Sequence, residues 1–144
     1  MENMENTVNI VNSIATVSEP EQRYRQELRK MVEELMKFAL SKRAKDMIAV
    51  HVGDRTIVAD WFVFMSGTSQ IHVKALCDEL EDRAAELGFV LRRREGYNEG
   101  RWIVLDFSNV LVHIFHPEER EYYNVERLWM DPAADVIRID EENC

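Results

Sequence analysis

Asp106 and His113 are the two residues of this chain whose types and spacing first suggest chemistry. They lie in the segment 100–115, Gly-Arg-Trp-Ile-Val-Leu-Asp-Phe-Ser-Asn-Val-Leu-Val-His-Ile-Phe. A carboxylate beside an imidazole is two thirds of a Ser-His-Asp triad, and it is also an ordinary structural hydrogen bond. A triad needs a nucleophile within reach. Ser66 and Ser69 belong to another strand end, and no Gly-x-Ser-x-Gly elbow occurs. The expectation is therefore a structural Asp106–His113 contact. A second candidate is Gly67-Thr68-Ser69, at an expected strand-to-helix junction, where backbone N–H groups and the positive helix end can hold an anion. The same residues also read as a glycine turn with a Ser or Thr helix cap.

Phosphoryl-transfer chemistry at such a turn needs more. A nucleotidyltransferase would follow it with a strand bearing two carboxylates one residue apart, to hold metal ions. The next expected strand, Phe89 to Arg94, has none, and Asp106 is flanked two residues away by Val104 and Ser108. His51, His72, His113 and His116 show no metal-ligand spacing and no Cys-x-x-Cys pair accompanies them, so no metal or other cofactor is expected. Arg92-Arg93-Arg94 offers phosphate contacts. Strand alternation sends Arg93 away from its neighbours and Glu95 follows at once, so a solvated strand end is the expectation. The aromatics Tyr97, Trp102, Tyr122, Tyr123 and Trp129 gather around the hairpin and the last helix. Trp and Tyr combine large area with a polar tip, which suits interfaces. Trp102 reads as an interface residue and Trp129 as packing for the terminal helix.

The elements that must position these residues follow from periodicity. With Ser108-Asn109 as a two-residue turn, Phe107 faces Val110 and Val104 faces His113. One hairpin face is then Ile103, Leu105, Phe107, Val110, Val112 and Ile114, wholly apolar. The other is Trp102, Val104, Asp106, Leu111, His113 and Phe115. Upstream, Ser18 caps a helix, with Glu21 completing a capping box, Pro20 in the first turn and a stripe of Leu28, Met31, Val32, Leu35, Met36 and Ala39. It should end near Ser41-Lys42-Arg43. Met47 to Val52 reads as a strand, and Trp61 to Met65 as a central strand buried on both faces. The helix after Ser69 buries Val73, Leu76, Cys77, Leu80, Ala84 and Leu87 and stops at Gly88. A short helix from Pro117 passes Tyr122 and Tyr123 and re-forms up to Trp129.

Helices and strands thus interleave. The expected fold is α/β (α+β), a mixed five-stranded sheet with flanking helices, in one domain over residues 18–130. Residues 1–17 are expected to be a flexible lead-in and residues 131–144 an acidic flexible tail. The chain has 144 residues and a net charge of −9, which argues against sequence-independent nucleic-acid binding. It suits either a basic partner surface or ordinary solubility. No apolar run approaches the roughly 20 residues that span a bilayer. The N-terminus has no basic residue before Arg23, unlike a signal or transit peptide, so a cytoplasmic protein is expected. Two cysteines, Cys77 and Cys144, form no disulfide framework.

Several short motifs, taken together and in order, resemble the ribosomal silencing factor (RsfS, or Iojap-like) family. They are Lys45-Asp46-Met47-Ile48, Ala59-Asp60-Trp61-Phe62-Val63, Ser66-Gly67-Thr68-Ser69, Glu95-Gly96, Gly100-Arg101-Trp102, Asp106-Phe107, Val112-His113 and Glu119-Arg120-Glu121-Tyr122-Tyr123, with Leu128-Trp129 beyond. The likeness runs from about residue 24 to residue 130. It implies a nucleotidyltransferase-like fold without the catalytic carboxylates, and a regulator that is not an enzyme. Family members bind a large-subunit ribosomal protein at the intersubunit face, block joining of the small subunit and repress translation when nutrients are scarce. Many are homodimers, and organelle members assist large-subunit assembly. By position, the family's interface tryptophan is Trp102. The implied ribosomal-protein surface comprises Trp102, Glu95, Glu99, Val104, Asp106 and Tyr123, with the acidic residues complementing a basic partner. Alternatives are a large-subunit assembly factor and a nucleotide-binding enzyme at Gly67-Thr68-Ser69.

Overall fold

The computed structural model describes residues 18–140. The chain forms two units, Met1–Met31 and Val32–Cys144. Of the first, the described part is the start of helix α1 (Glu19–Ser41). The Ser18 hydroxyl accepts from the Glu21 N–H at 3.3 Å, as a cap should. In the second unit α1 continues with Val32, Leu35, Met36 and Ala39 fully buried on one stripe. The lead-in over residues 1–17 lies outside the described residues, as do residues 141–144.

The second unit is built on β1 (Lys45–His51), β2 (Trp61–Ser66), helix α2 (Gln70–Leu87), β3 (Arg93–Glu95), β4 (Trp102–Asp106), β5 (Val110–Phe115), helix α3 (Pro117–Tyr123), a 3-10 helix (Val125–Trp129) and β6 (Val136–Ile139). The sheet has six strands in the order β3-β4-β5-β2-β1-β6. Among the described strands only β2 and β5 pair in parallel, and the chain between them passes through α2, β3 and β4. Every residue of β2 is buried, which its unbroken apolar run required. The sixth strand corrects the five-stranded expectation. Residues 131–144 are not simply a tail, because Val136, Ile137 and Ile139 give Val136–Ile139 a strand pattern. It pairs antiparallel with β1, Ala49 opposite Ile137. The acidic residues around it masked that short apolar alternation.

Helix α2 follows its sequence signals closely. Ser69 caps the His72 N–H at 3.0 Å, and Gly88 closes the C-terminus at φ 101°. Val73, Leu76, Cys77, Leu80 and Ala84 are buried, and α2 packs on β4 and β5. Leu87 is only half-buried. The expected strand from Phe89 to Arg94 is shorter and later. Phe89 turns into the core, its ring 5.3 Å from Phe107, and Arg92 N–H first reaches the sheet at Asp106 O, 2.7 Å. Regular pairing begins only at Arg93.

The hairpin β4–β5 has the expected register, with Val104 opposite His113 and Asp106 opposite Leu111. Phe107 N–H donates to Val110 O at 2.9 Å, closing the Ser108-Asn109 turn. Ser108 adopts φ 71°, as primed two-residue loops demand. Its apolar face is buried throughout, with Ile103, Leu105, Val110, Val112 and Ile114 at 0% exposure.

Candidate functional site

The other face of the sheet carries a plate of rings. Phe62 and Phe64 project from β2, and His113 and Phe115 project from β5 beside them. Trp102 on β4 stands opposite Phe115. His113 stacks on Phe64 with centroids 5.0 Å apart, and Trp102 stacks on Phe115 at 4.9 Å. Phe62 meets His113 edge-on at 5.6 Å. The chain after β5 folds over part of this plate. Trp129 sets its ring at right angles to Phe62, 5.1 Å away, so its expected role in packing holds. Val125, Met130, Ala134 and Val136 add to the same cover.

Polar anchors fix that cover. Arg120 makes a bidentate pair with Glu126, both contacts 2.7 Å, and donates to the Ser66 hydroxyl at the end of β2. Forked Arg–carboxylate pairs of this kind hold geometry as well as charge. Arg55 reaches from the β1–β2 loop to Asp131 at 2.9 Å and to the Trp129 carbonyl at 2.8 Å. Asn124 turns between α3 and the 3-10 helix at φ 44°. The plate is closed over Phe62 and Phe64, and left half-open at Trp102.

That half-open edge holds the residues expected at the partner surface. Trp102 and Val104 are half-buried, Tyr123 is 53% exposed, and Glu95 and Glu99 are exposed. Tyr123 lies 5.2 Å from Trp102, with Tyr122 edge-on to it at 4.9 Å. Glu95 pairs across the ladder with Val104, on the face of Trp102, and its carboxylate sits 3.3 Å from Arg93. Glu99 belongs to the loop before β4, where its carbonyl accepts from the Gln70 amide at 2.8 Å. That loop depends on Gly96 at φ 82°, because a Cβ there would lie 2.1 Å from the Trp102 carbonyl oxygen. The structure thus brings Trp102, Val104, Glu95 and Tyr123 to one edge.

Asp106 shares this face but is spent locally. One carboxylate oxygen accepts the Ser108 N–H at 2.8 Å, and the other lies 3.9 Å from Arg93. The expected Asp106–His113 hydrogen bond does not form. A short polar side chain satisfied by its own turn has no reason to reach across the ladder. His113 Nδ1 instead accepts the Trp102 indole N–H at 3.2 Å. The signal was available, because the register makes His113 a diagonal neighbour of Trp102 as well as of Asp106. Burial among uncharged rings pushes the His113 pKa down to about 4, so the imidazole is neutral at pH 7.

The other candidate groups are internally occupied. At Gly67-Thr68-Ser69, Thr68 N–H donates to His72 Nδ1 at 2.9 Å, His72 N–H to Ser69 Oγ, and Gly67 N–H to the Phe115 carbonyl. A Cβ on Gly67 would fall 2.9 Å from Val73 and 3.0 Å from its backbone N, so this glycine serves close packing of the turn. Arg94 pairs with Glu81 and Asp78 and lies 4.0 Å over the Tyr97 ring, and Arg92 donates to Ser108. Cys77, Asp78 and Glu81 are close enough together to share a cation. Burial pushes the Cys77 thiol up to about 12, and Arg94 already serves the carboxylates. His116, Glu118 and Glu119 form a similar group, in which Arg101 pairs with both carboxylates and holds that of Glu119 below its usual range.

No helix among the described residues is long and apolar enough to cross a membrane. Comparison with known proteins agrees with the fold. The solved structure of a protein from Bacillus halodurans matches with a TM-score of 0.64 at 32% identity, covering 79% of this chain and 99% of that one. One from Chromobacterium violaceum matches with a TM-score of 0.68 at 26% identity, covering 73% and 89%. Among relatives, "Ribosomal silencing factor RsfS" of Bacillus subtilis is 43% identical, over 66% of this chain and 81% of its own length. The protein of that name from Halalkalibacterium halodurans is 38% identical over 69% and 88%. A mouse relative, "Mitochondrial assembly of ribosomal large subunit protein 1", is 29% identical over 68% of this chain and 44% of its own length. The family model described as "Ribosomal silencing factor during starvation" matches residues 25–143, so the segment bearing β6 lies inside the match. On that span, and on the shared fold and sequence, this chain belongs to the ribosomal silencing factor family.

Proposed function

We propose that this protein silences translation by binding the large ribosomal subunit through the edge centred on Trp102. The partner is a basic ribosomal protein at the intersubunit face. The bound protein then obstructs joining of the small subunit when nutrients are limiting, and no bond is made or broken. The free protein is proposed to be a cytoplasmic homodimer. The observation that carries this reading is the half-open aromatic edge of Trp102 and Tyr123, with the exposed Glu95 beside Val104 on the same face and Glu99 exposed in the loop that leads into β4. Aromatic anchors bordered by acidic residues suit a basic protein surface. Two proteins named ribosomal silencing factor are similar to this chain over most of their own lengths, at 43% and 38% identity.

Sedimentation with separated ribosomal subunits tests it. Wild type should travel with the large subunit alone, and Trp102→Ala should stay near the top of the gradient. Wild type that remains at the top would overturn the function, and a folded Trp102→Ala that still travels would overturn the site.

The name of the mouse relative supports a second reading, assembly of the large subunit. The two roles use one surface, so accumulation of large-subunit precursors on deletion is the outcome that favours assembly. Nucleotide binding at Gly67-Thr68-Ser69 is disfavoured because the Gly67 and Thr68 N–H groups already donate to the Phe115 carbonyl and to His72 Nδ1. Calorimetric titration with nucleotide and Mg²⁺ should release no binding heat.

A further inference from the structure

A histidine buried among phenylalanines needs a reason. The His113 ring lies between Phe64 and Phe115, both nearly parallel to it at 16° and 14°, with Phe62 edge-on. Its Nδ1 accepts the Trp102 indole N–H at 3.2 Å, so the ring proton of the neutral imidazole sits on Nε2. That Nε2 is buried and has no hydrogen-bond partner among the described residues. Leucine or phenylalanine at this position would fill the plate without an orphan donor. The feature of His113 that an apolar residue could not reproduce is the acceptor it offers to Trp102.

We infer that His113 is the positioning residue of the Trp102 anchor, drawing the indole N–H inward so that the ring meets its partner through carbon alone. This inference rests on the reading of Trp102 as the docking anchor. Two further contacts hold the ring, Phe115 stacked beneath it at 4.9 Å and Tyr123 beside it at 5.2 Å. Neither fixes which way the N–H points, because a ring flipped by about 180° around Cβ–Cγ presents the same faces for stacking with the N–H on the opposite edge. The hydrogen bond alone sets that direction. The edge turned toward the partner then carries no unsatisfied polar group, and the partner need supply no acceptor to bury it. An anchor held in this way loses little side-chain freedom on docking.

The test uses the full chain with two readouts, large-subunit affinity and the Trp102 indole N–H resonance, assigned by its loss in Trp102→Ala. His113→Asn places an acceptor near the position of Nδ1, whereas His113→Leu removes it. His113→Leu should release the indole proton to fast solvent exchange and weaken subunit binding about five- to tenfold. His113→Asn should keep the protected proton and bind within about threefold of wild type. Should His113→Leu not fold, the wild-type indole proton decides the matter, because an N–H turned outward would exchange rapidly with solvent. Fast exchange of that proton in the wild type, or wild-type affinity in a folded His113→Leu with its indole proton freed, would overturn the inference. Failure of the anchor reading itself has a different signature, namely undiminished binding by Trp102→Ala.

Discussion

The hairpin β4–β5 presents two faces built from alternate cross-strand pairs of one ladder, and they are packed to different ends. On one, Ile103, Leu105, Val110, Val112 and Ile114 have no exposed surface. On the other, Trp102, Val104, Asp106 and Leu111 are half-covered, and His113 lies buried with an orphan nitrogen. The first face gains stability from simple area. The second gives up part of that gain to hold an aromatic edge open and oriented. A sheet can serve both ends because side chains alternate, so what is spent on one face does not disturb the other.

The contrast breaks most sharply on truncation. Leu105→Ala on the closed face should cost about 2–5 kcal/mol of stability, since a cavity there has little freedom to collapse. Urea denaturation measures it, and the fraction that stays folded should bind the large subunit as wild type does. Trp102→Ala on the open face should show the reverse. The side chain is half-exposed and bordered by solvent, so its loss should lower stability less than Leu105→Ala does. Binding should fall by about 2–4 kcal/mol, roughly 30- to 1,000-fold. A stability loss larger than the binding loss at Trp102 would make both faces core.

Acid sharpens the comparison, because only the second face holds a titratable ring. Folded His113 has a pKa near 4 against an ordinary 6.5. The unfolded chain therefore takes up a proton that the folded chain refuses. Stability is complete above pH 6.5 and declines as pH falls toward 4, by roughly 3 kcal/mol over that window. His113→Asn lacks this contribution, while the carboxylates weaken both proteins alike in acid. Urea unfolding at pH 7.5 and pH 5 should thus show a steeper loss for wild type. Equal slopes would mean that the histidine is not held neutral.

The same two faces show what can be read from sequence. The closed face was legible because alternation and a Ser-Asn turn together fix a register, and a one-residue slip would expose every apolar side chain. The chain's central strand, Trp61 to Met65, was legible from its unbroken apolar run. The fold's sixth strand was not. Val136–Ile139 is short, and its partner β1 is distant in sequence, so its stabilisation comes from tertiary pairing. On the open face the residues were legible but their pairing was not. Asp106 looked outward to His113, yet its own turn offered a nearer donor in Ser108. Trp102 was recognisable as an anchor, and the register already put His113 diagonal to both Trp102 and Asp106, but only the structure shows which diagonal forms the bond.

The smallest expected effect separates shape from charge on the open edge. Glu95 and Glu99 are exposed, and Glu95 already lies 3.3 Å from Arg93. Exposed charges of this kind act mainly on encounter and are screened by salt. Glu95→Gln and Glu99→Gln should each weaken large-subunit binding about two- to fivefold at low salt, mostly through a slower on-rate. Raising ionic strength should erase that difference while leaving the defect of Trp102→Ala intact. Glu95→Gln should have the larger effect, because it removes a negative charge and also leaves the positive charge of Arg93, 3.3 Å away, to repel the basic partner, whereas Glu99 stands in the loop beside Gln70. Stopped-flow association at two salt concentrations distinguishes these outcomes. A salt-independent loss in either variant would mean that the carboxylate is buried against the partner, and would move the centre of the interface from Trp102 toward the β3 edge.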